Sequence, residues 1–163
     1  MTAIRPIAAG SRAAWLAEDL HADPGWIFTL PEAAAEDMVG AIRRAHRPGR
    51  PLIDYRREEF DLGRALPALR AAFAETLDGR GIALLRGLPR APLNEAEFEL
   101  LTWAIGLHCG VARPQGKATH YLSAVRDVGT VYRSGTGRGY SSNAELDFHT
   151  DGADAVSYTH LTL

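Results

Sequence analysis

The chain is short of several residue types, and each scarcity excludes something. It has a single cysteine, Cys109, so no intrachain disulfide can form, which fits a reducing compartment. It has a single lysine, Lys117, among 18 basic residues, and its arginines are spread along the sequence without forming a patch. The net charge is −2 and the isoelectric point about 6.3, so nothing draws it strongly to nucleic acid or anionic lipid. No segment approaches the roughly 20 consecutive apolar residues that span a bilayer. The stretch Met1 to Gly10 lacks the apolar run of a secretory leader. No internal repeat is visible. These absences lead to the expectation of a cytoplasmic protein with neither nucleic-acid nor membrane partners.

What is present is ordinary for a globular protein. Hydrophobic residues make up 46% of the 163 positions and charged residues 23%, which suits one folded domain and excludes disorder for most of it. Ser11 is placed to cap a short helix through Leu20, and Asp23-Pro24-Gly25 reads as a turn. Trp26 to Leu30 is rich in strand formers. Pro31 suits the first position of a helix running to about Ala45, broken by Arg47 to Pro51. Leu62 to Leu77 carries a second helical pattern, with Leu66, Leu69, Ala72, Phe73 and Leu77 on one side and Pro67 in the first turn or at the true start. Ile82 to Leu85 reads as a short buried strand. Asn94 and Glu97 form the pattern of a capping box, opening a helix to Leu107 that buries Phe98, Leu101 and Trp103 or Ile105. After Gly110 the composition shifts to Gly, Ser, Thr and Tyr. Strands are expected at His120 to Val125, Gly129 to Tyr132 and Ala144 to Thr150, with a loop at Ser134 to Gly139.

The segment that carries chemistry is Glu145-Leu146-Asp147-Phe148-His149-Thr150-Asp151-Gly152. Side chains alternate along an extended chain, so His149 and Asp151 project to one face, close enough to chelate one cation. A neutral imidazole with a carboxylate suits a divalent first-row metal. Two histidines and a carboxylate on one face of an octahedron make the non-haem Fe(II) site of oxygenases. A His-x-Asp triplet also arises by chance, and Asp151 before Gly152 is equally a turn with His149 bonded to it. Glu145 and Asp147 share the same alternating face and read as solvated or salt-bridged acids, with an orienting role for the imidazole as the alternative.

The run Asn143 to Gly152 resembles the metal motif of the taurine dioxygenase/TfdA-like family, which includes clavaminate synthase-like enzymes. Gly81-Ile82-Ala83-Leu84-Leu85-Arg86-Gly87-Leu88-Pro89 resembles that family's early strand, and the helix from Asn94 to Leu107, then Gly110 and Pro114-Gln115, follows the same order. The resemblance covers about Gly79 to Asp154 and rests most on His149-Thr150-Asp151. It implies an α+β fold, a double-stranded β-helix or jelly-roll core with flanking N-terminal helices. It also implies Fe(II), with 2-oxoglutarate and O2 as cosubstrates, and hydroxylation of a small-molecule substrate. His149 and Asp151 are then two iron ligands. Tyr140, Ser142 and Asn143, just before the metal strand, are pocket candidates, with polar turn residues as the alternative reading.

The family's distal histidine and its cosubstrate-binding arginine lie far downstream of the first pair. Here His160, nine residues after Asp151, is the last histidine, and no arginine follows Arg138, so neither role is assigned. The expectation is a family domain over 1–155, truncated before its barrel is complete and inactive in this form. A tail over 156–163 then follows, similar to a translated adapter or else a natural strand. Homo-oligomer formation is left open. Two alternatives belong to other classes: a β-helix binding module without turnover, and a different divalent-metal enzyme such as a zinc hydrolase. Elsewhere His108 reads as a helix-end cation, Cys109 as a small buried hydrophobe and His21 and His46 as surface or cap residues. Trp15, Trp26 and Trp103 read as core aromatics.

Overall fold

A computed structural model describes residue 8, residues 10–114, and residues 121, 122, 125 and 127–129. The chain divides into two compact units, Met1–Val111 and Ala112–Leu163. Every helix and strand among the described residues lies in the first unit: α1 (Ala17–Ala22), β1 (Ile27–Thr29), α2 (Glu32–Ala45), α3 (Leu66–Asp78), β2 (Leu84–Arg86) and α4 (Glu95–Cys109). Three single 3-10 turns, Leu52–Asp54, Arg57–Glu59 and Gly63–Ala65, join α2 to α3.

The order follows from local chemistry. Pro31, extended at φ −66°, stands at the cap of α2, one residue earlier than its expected place inside the helix. Glu32 in the first turn and Arg43 and Arg44 in the last complement the helix dipole. Buried Ala34, Met38, Ala41, Ile42 and Ala45 repeat at the three-and-four spacing of one helical face. Pro67 sits in the first turn of α3, where its missing N–H costs nothing. At α4 the expected capping box is closed in both directions. Glu97 N donates to Asn94 Oδ1 at 2.9 Å, and Asn94 N donates to Glu97 Oε2 at 3.0 Å.

α2, α3 and α4 enclose the core. Leu100, Leu101, Trp103, Ala104 and Ile105 of α4 are buried, so this helix is covered on more than one side. Phe60 and Leu62 from the connection are buried with them. Each such large side chain contributes about 1.5–3 kcal/mol relative to exposure. Tyr55 is buried beside Phe60, their rings 5.7 Å apart, and its hydroxyl accepts from Arg47 N at 2.9 Å. His108 Nε2 lies 2.8 Å from Phe60 O; a carbonyl only accepts, so this nitrogen carries the proton and ties the end of α4 to the connection.

β1 and β2 pair in parallel, with Ile27 opposite Leu84, Phe28 opposite Leu85 and Thr29 opposite Arg86. The pair closes where Leu30 N donates to Arg86 O at 2.9 Å. Gly87 follows immediately at φ +87°, and a Cβ there would lie 2.8 Å from Leu30 O. The Arg-Gly step thus has a structural reason: only glycine lets the backbones approach this closely while the chain turns away.

Four expectations are corrected. The first helix starts at Ala17 and not at Ser11, because Asp19 Oδ2 accepts from Leu16 N at 2.8 Å and caps it there, whereas Ser11 Oγ takes Ala13 N in a turn. The strand expected at Ile82 to Leu85 pairs only from Leu84, where its N–H meets Trp26 O, and Leu84 is 36% exposed. On α3 the inward face is Leu69, Ala72 and Glu75, while Leu77 is exposed. Glu75 takes that place because two arginines neutralise it. Trp15 is not a core residue; it is exposed and spends its indole N–H on Arg80 O at 2.8 Å. Trp103 is buried and Trp26 half-buried.

In the second unit, Gly129 N donates to Asp127 Oδ1 at 2.8 Å. Of the strand expected at His120 to Val125, the described Tyr121, Leu122 and Val125 are not in a strand, nor is Gly129 of the next. The rest of those segments, the strand at Ala144 to Thr150 and most of the expected jelly-roll region lie outside the described residues.

Candidate functional site

His149 and Asp151, with Tyr140, Ser142 and Asn143, lie outside the described residues. Among the described residues no group of three or more His, Cys, Asp or Glu side chains is placed to hold a metal ion. The charged clusters among the described residues of the first unit join its elements to one another.

The densest of them surrounds Glu75. Arg80 Nη1 donates to Glu75 Oε1 at 2.7 Å and Arg80 N to the same oxygen at 3.1 Å, while Arg12 Nη2 reaches both oxygens at 3.0 and 2.9 Å. Arg80 also pairs with Asp23 in the turn before β1. Hydrogen bonding from Arg80 holds the Glu75 carboxyl below the usual range, against the opposing pull of desolvation. A carboxylate so fully occupied cannot serve as a general base. It joins the turn before β1, the end of α3 and the approach to β2.

Two further pairs brace the connection. Asp37 on α2 accepts from Arg64 Nε at 2.7 Å, Arg64 Nη2 at 2.8 Å and Arg64 N at 2.9 Å, and these bonds hold its carboxyl well below the ordinary range. Arg50 lies 4.1 Å above the Tyr55 ring and donates to both oxygens of Glu59 at 2.7 and 3.0 Å.

A cavity of about 200 Å³ opens between α3 and the end of α4, lined by Leu66, Leu69, Phe73, Leu77, His108 and Cys109 among others. Burial pushes the Cys109 thiol up, so it stays protonated at neutral pH and is a poor nucleophile. His108 has already committed Nε2 to Phe60 O. The neighbours do not form a thiolate–imidazole pair, in keeping with the structural reading of both.

The chain is 29% identical over 152 residues to the FR-33289 synthase of Streptomyces rubellomurinus, an alignment that covers 93% of this chain and 45% of that protein. The chain thus spans less than half the length of this curated relative. A family model described as taurine catabolism dioxygenase TauD, TfdA family matches residues 45–162, a span that takes in α3, α4 and the His149-Thr150-Asp151 triplet. With well over half of its residues matched, the chain belongs to the TauD/TfdA dioxygenase family.

Proposed function

We propose that this chain is part of a non-haem Fe(II), 2-oxoglutarate-dependent dioxygenase that hydroxylates a small molecule, with His149 and Asp151 as two of its iron ligands. The observation that carries the reading is the family match, because its span takes in only the second of the two His-x-Asp triplets in the sequence, His21-Ala22-Asp23 and His149-Thr150-Asp151. Enzymes of this family generally use Fe(II) and 2-oxoglutarate with O2, and one imidazole nitrogen with one carboxylate oxygen is two-thirds of the donor set such a site requires. When bound, the iron and cosubstrate supply the oxidising chemistry. His149 and Asp151 hold the metal from neighbouring positions of one extended segment, and Tyr140, Ser142 and Asn143 border the space beside it. The remaining histidine and the arginine that anchors 2-oxoglutarate are assigned to no residue here. A jelly-roll core built largely from residues after Val111, and a cytoplasmic setting, complete the reading.

The test is anaerobic. Fe(II) and 2-oxoglutarate are added to the protein extended to its relative's length, and the visible spectrum is recorded. A weak charge-transfer band that His149→Ala and Asp151→Ala both remove is the expected result. Iron bound without any band contradicts 2-oxoglutarate chelation and favours a different divalent-metal enzyme.

A further inference from the structure

The stretch from Gly10 to Ala22 touches the rest of its unit through few groups. α1 buries none of its six residues, and Trp15 and Leu16 before it are exposed. The described side-chain hydrogen bonds that hold this stretch to the body come from three residues. Arg12 donates to Glu75, Trp15 Nε1 to Arg80 O, and Trp26 Nε1 to Leu20 O at 3.1 Å. The Arg12 side chain is 61% exposed, whereas that of Glu75 is 9% exposed.

The body is arranged to survive the loss of these contacts. Without Arg12, Glu75 keeps both bonds from Arg80, and Arg80 keeps Asp23. The turn at Asp23-Pro24-Gly25 is closed by bonds of its own, Gly25 N to Asp23 Oδ1 at 2.9 Å and Ile27 N to Pro24 O at 2.8 Å. No buried charge is left unpaired when the stretch departs, which is the circumstance that would make departure costly.

We propose that Gly10 to Ala22 is a strap that opens as one piece about the Asp23-Pro24-Gly25 turn, with the Arg12–Glu75 ion pair as its catch. Opening lies well below global unfolding in free energy, as expected for a segment with few buried contacts. It uncovers the end of α3 and the approach to β2, frees the Trp15 indole N–H from Arg80 O and releases the half-buried Leu20 to solvent. Because the catch ends on an exposed guanidinium, it is weakened by salt, while the apolar core of α2 and α4 is not. The strap is independent of the iron-site reading.

Native-state hydrogen exchange followed by mass spectrometry on the full chain tests it. Peptides covering residues 11–22 are expected to exchange together and faster than those of α2 and α4. Arg12→Ala should speed the strap by about two- to fivefold, the range of an exposed ion pair, and leave α2 and α4 unchanged. Raising salt to about 1 M should bring the wild-type strap toward the variant's rate and leave the variant nearly unmoved. Strap peptides that exchange only with global unfolding would overturn the proposal. So would an Arg12→Ala variant that speeds α2 and α4 equally, or a salt effect of the same size in both proteins.

Discussion

Replacing Gly87 with alanine places a Cβ against the Leu30 carbonyl at a φ of +87°, and neither neighbour can move without breaking the β1–β2 pair. A loss of about 1–3 kcal/mol is expected from the backbone strain alone, read from the midpoint of urea denaturation. Asn94→Ala removes one arm of the capping box and should cost about 1 kcal/mol by the same measurement. Asp37 gives a pH signature. Its folded-state pKa is depressed by Arg64, so its contribution is fully present above the unfolded value near 4 and fades as pH falls through the folded value. Asp37→Asn should therefore lower the denaturation midpoint at pH 7, and the gap to the wild type should narrow below pH 4; a gap unchanged at pH 3 would contradict the linkage. Single residues were unevenly legible in the sequence. Asn94 with Glu97 is a local pattern and could be read directly. Glu75 could not, because a glutamate on a helix reads as solvated until its partners are known, and Arg12 lies 63 residues away.

Among the elements, α2 and α4 hold the first unit together, and Met38 stands on the buried face of α2 with no exposed surface. Met38→Ala should cost about 2–5 kcal/mol, with the size set by how far the neighbouring side chains collapse into the space. The three longer helices were legible because each is bracketed by chemistry that acts locally: Pro31 before α2, Pro67 in the first turn of α3, and Asn94 before α4. Strands were less so. The three-residue β2 is defined only by its partner β1, 57 positions earlier, and nothing local says that pairing starts at Leu84 and not at Ile82. The first helix was misplaced for a related reason. Ser11 and Asp19 are both capping residues, and the choice between them is made by Trp15 and Arg12, which fasten the intervening stretch to Arg80 and Glu75.

At the scale of the whole molecule, the helical first unit and the chemistry-bearing triplet fall in different parts of the chain. The first unit ends at Val111, and His149 and Asp151 belong to the second. The fold of the first unit was accessible to periodicity and capping rules. The candidate site was accessible only through the two-residue spacing of a histidine and an aspartate together with a family likeness, which the match over residues 45–162 bears out. No residue of the sequence could be assigned as a further histidine ligand or a cosubstrate-binding arginine, and the 152 residues that align cover 45% of the relative. The claim on which the account turns is that His149 and Asp151 grip one ferrous ion. Equilibrium dialysis under argon, with Fe(II) against the wild type, His149→Ala and Asp151→Ala, tests it most directly. The account predicts about one site in the wild type and a loss of affinity of at least about tenfold in each variant, since removing a direct ligand should cost no less than disturbing its outer shell. Wild-type affinity retained in either variant would contradict it.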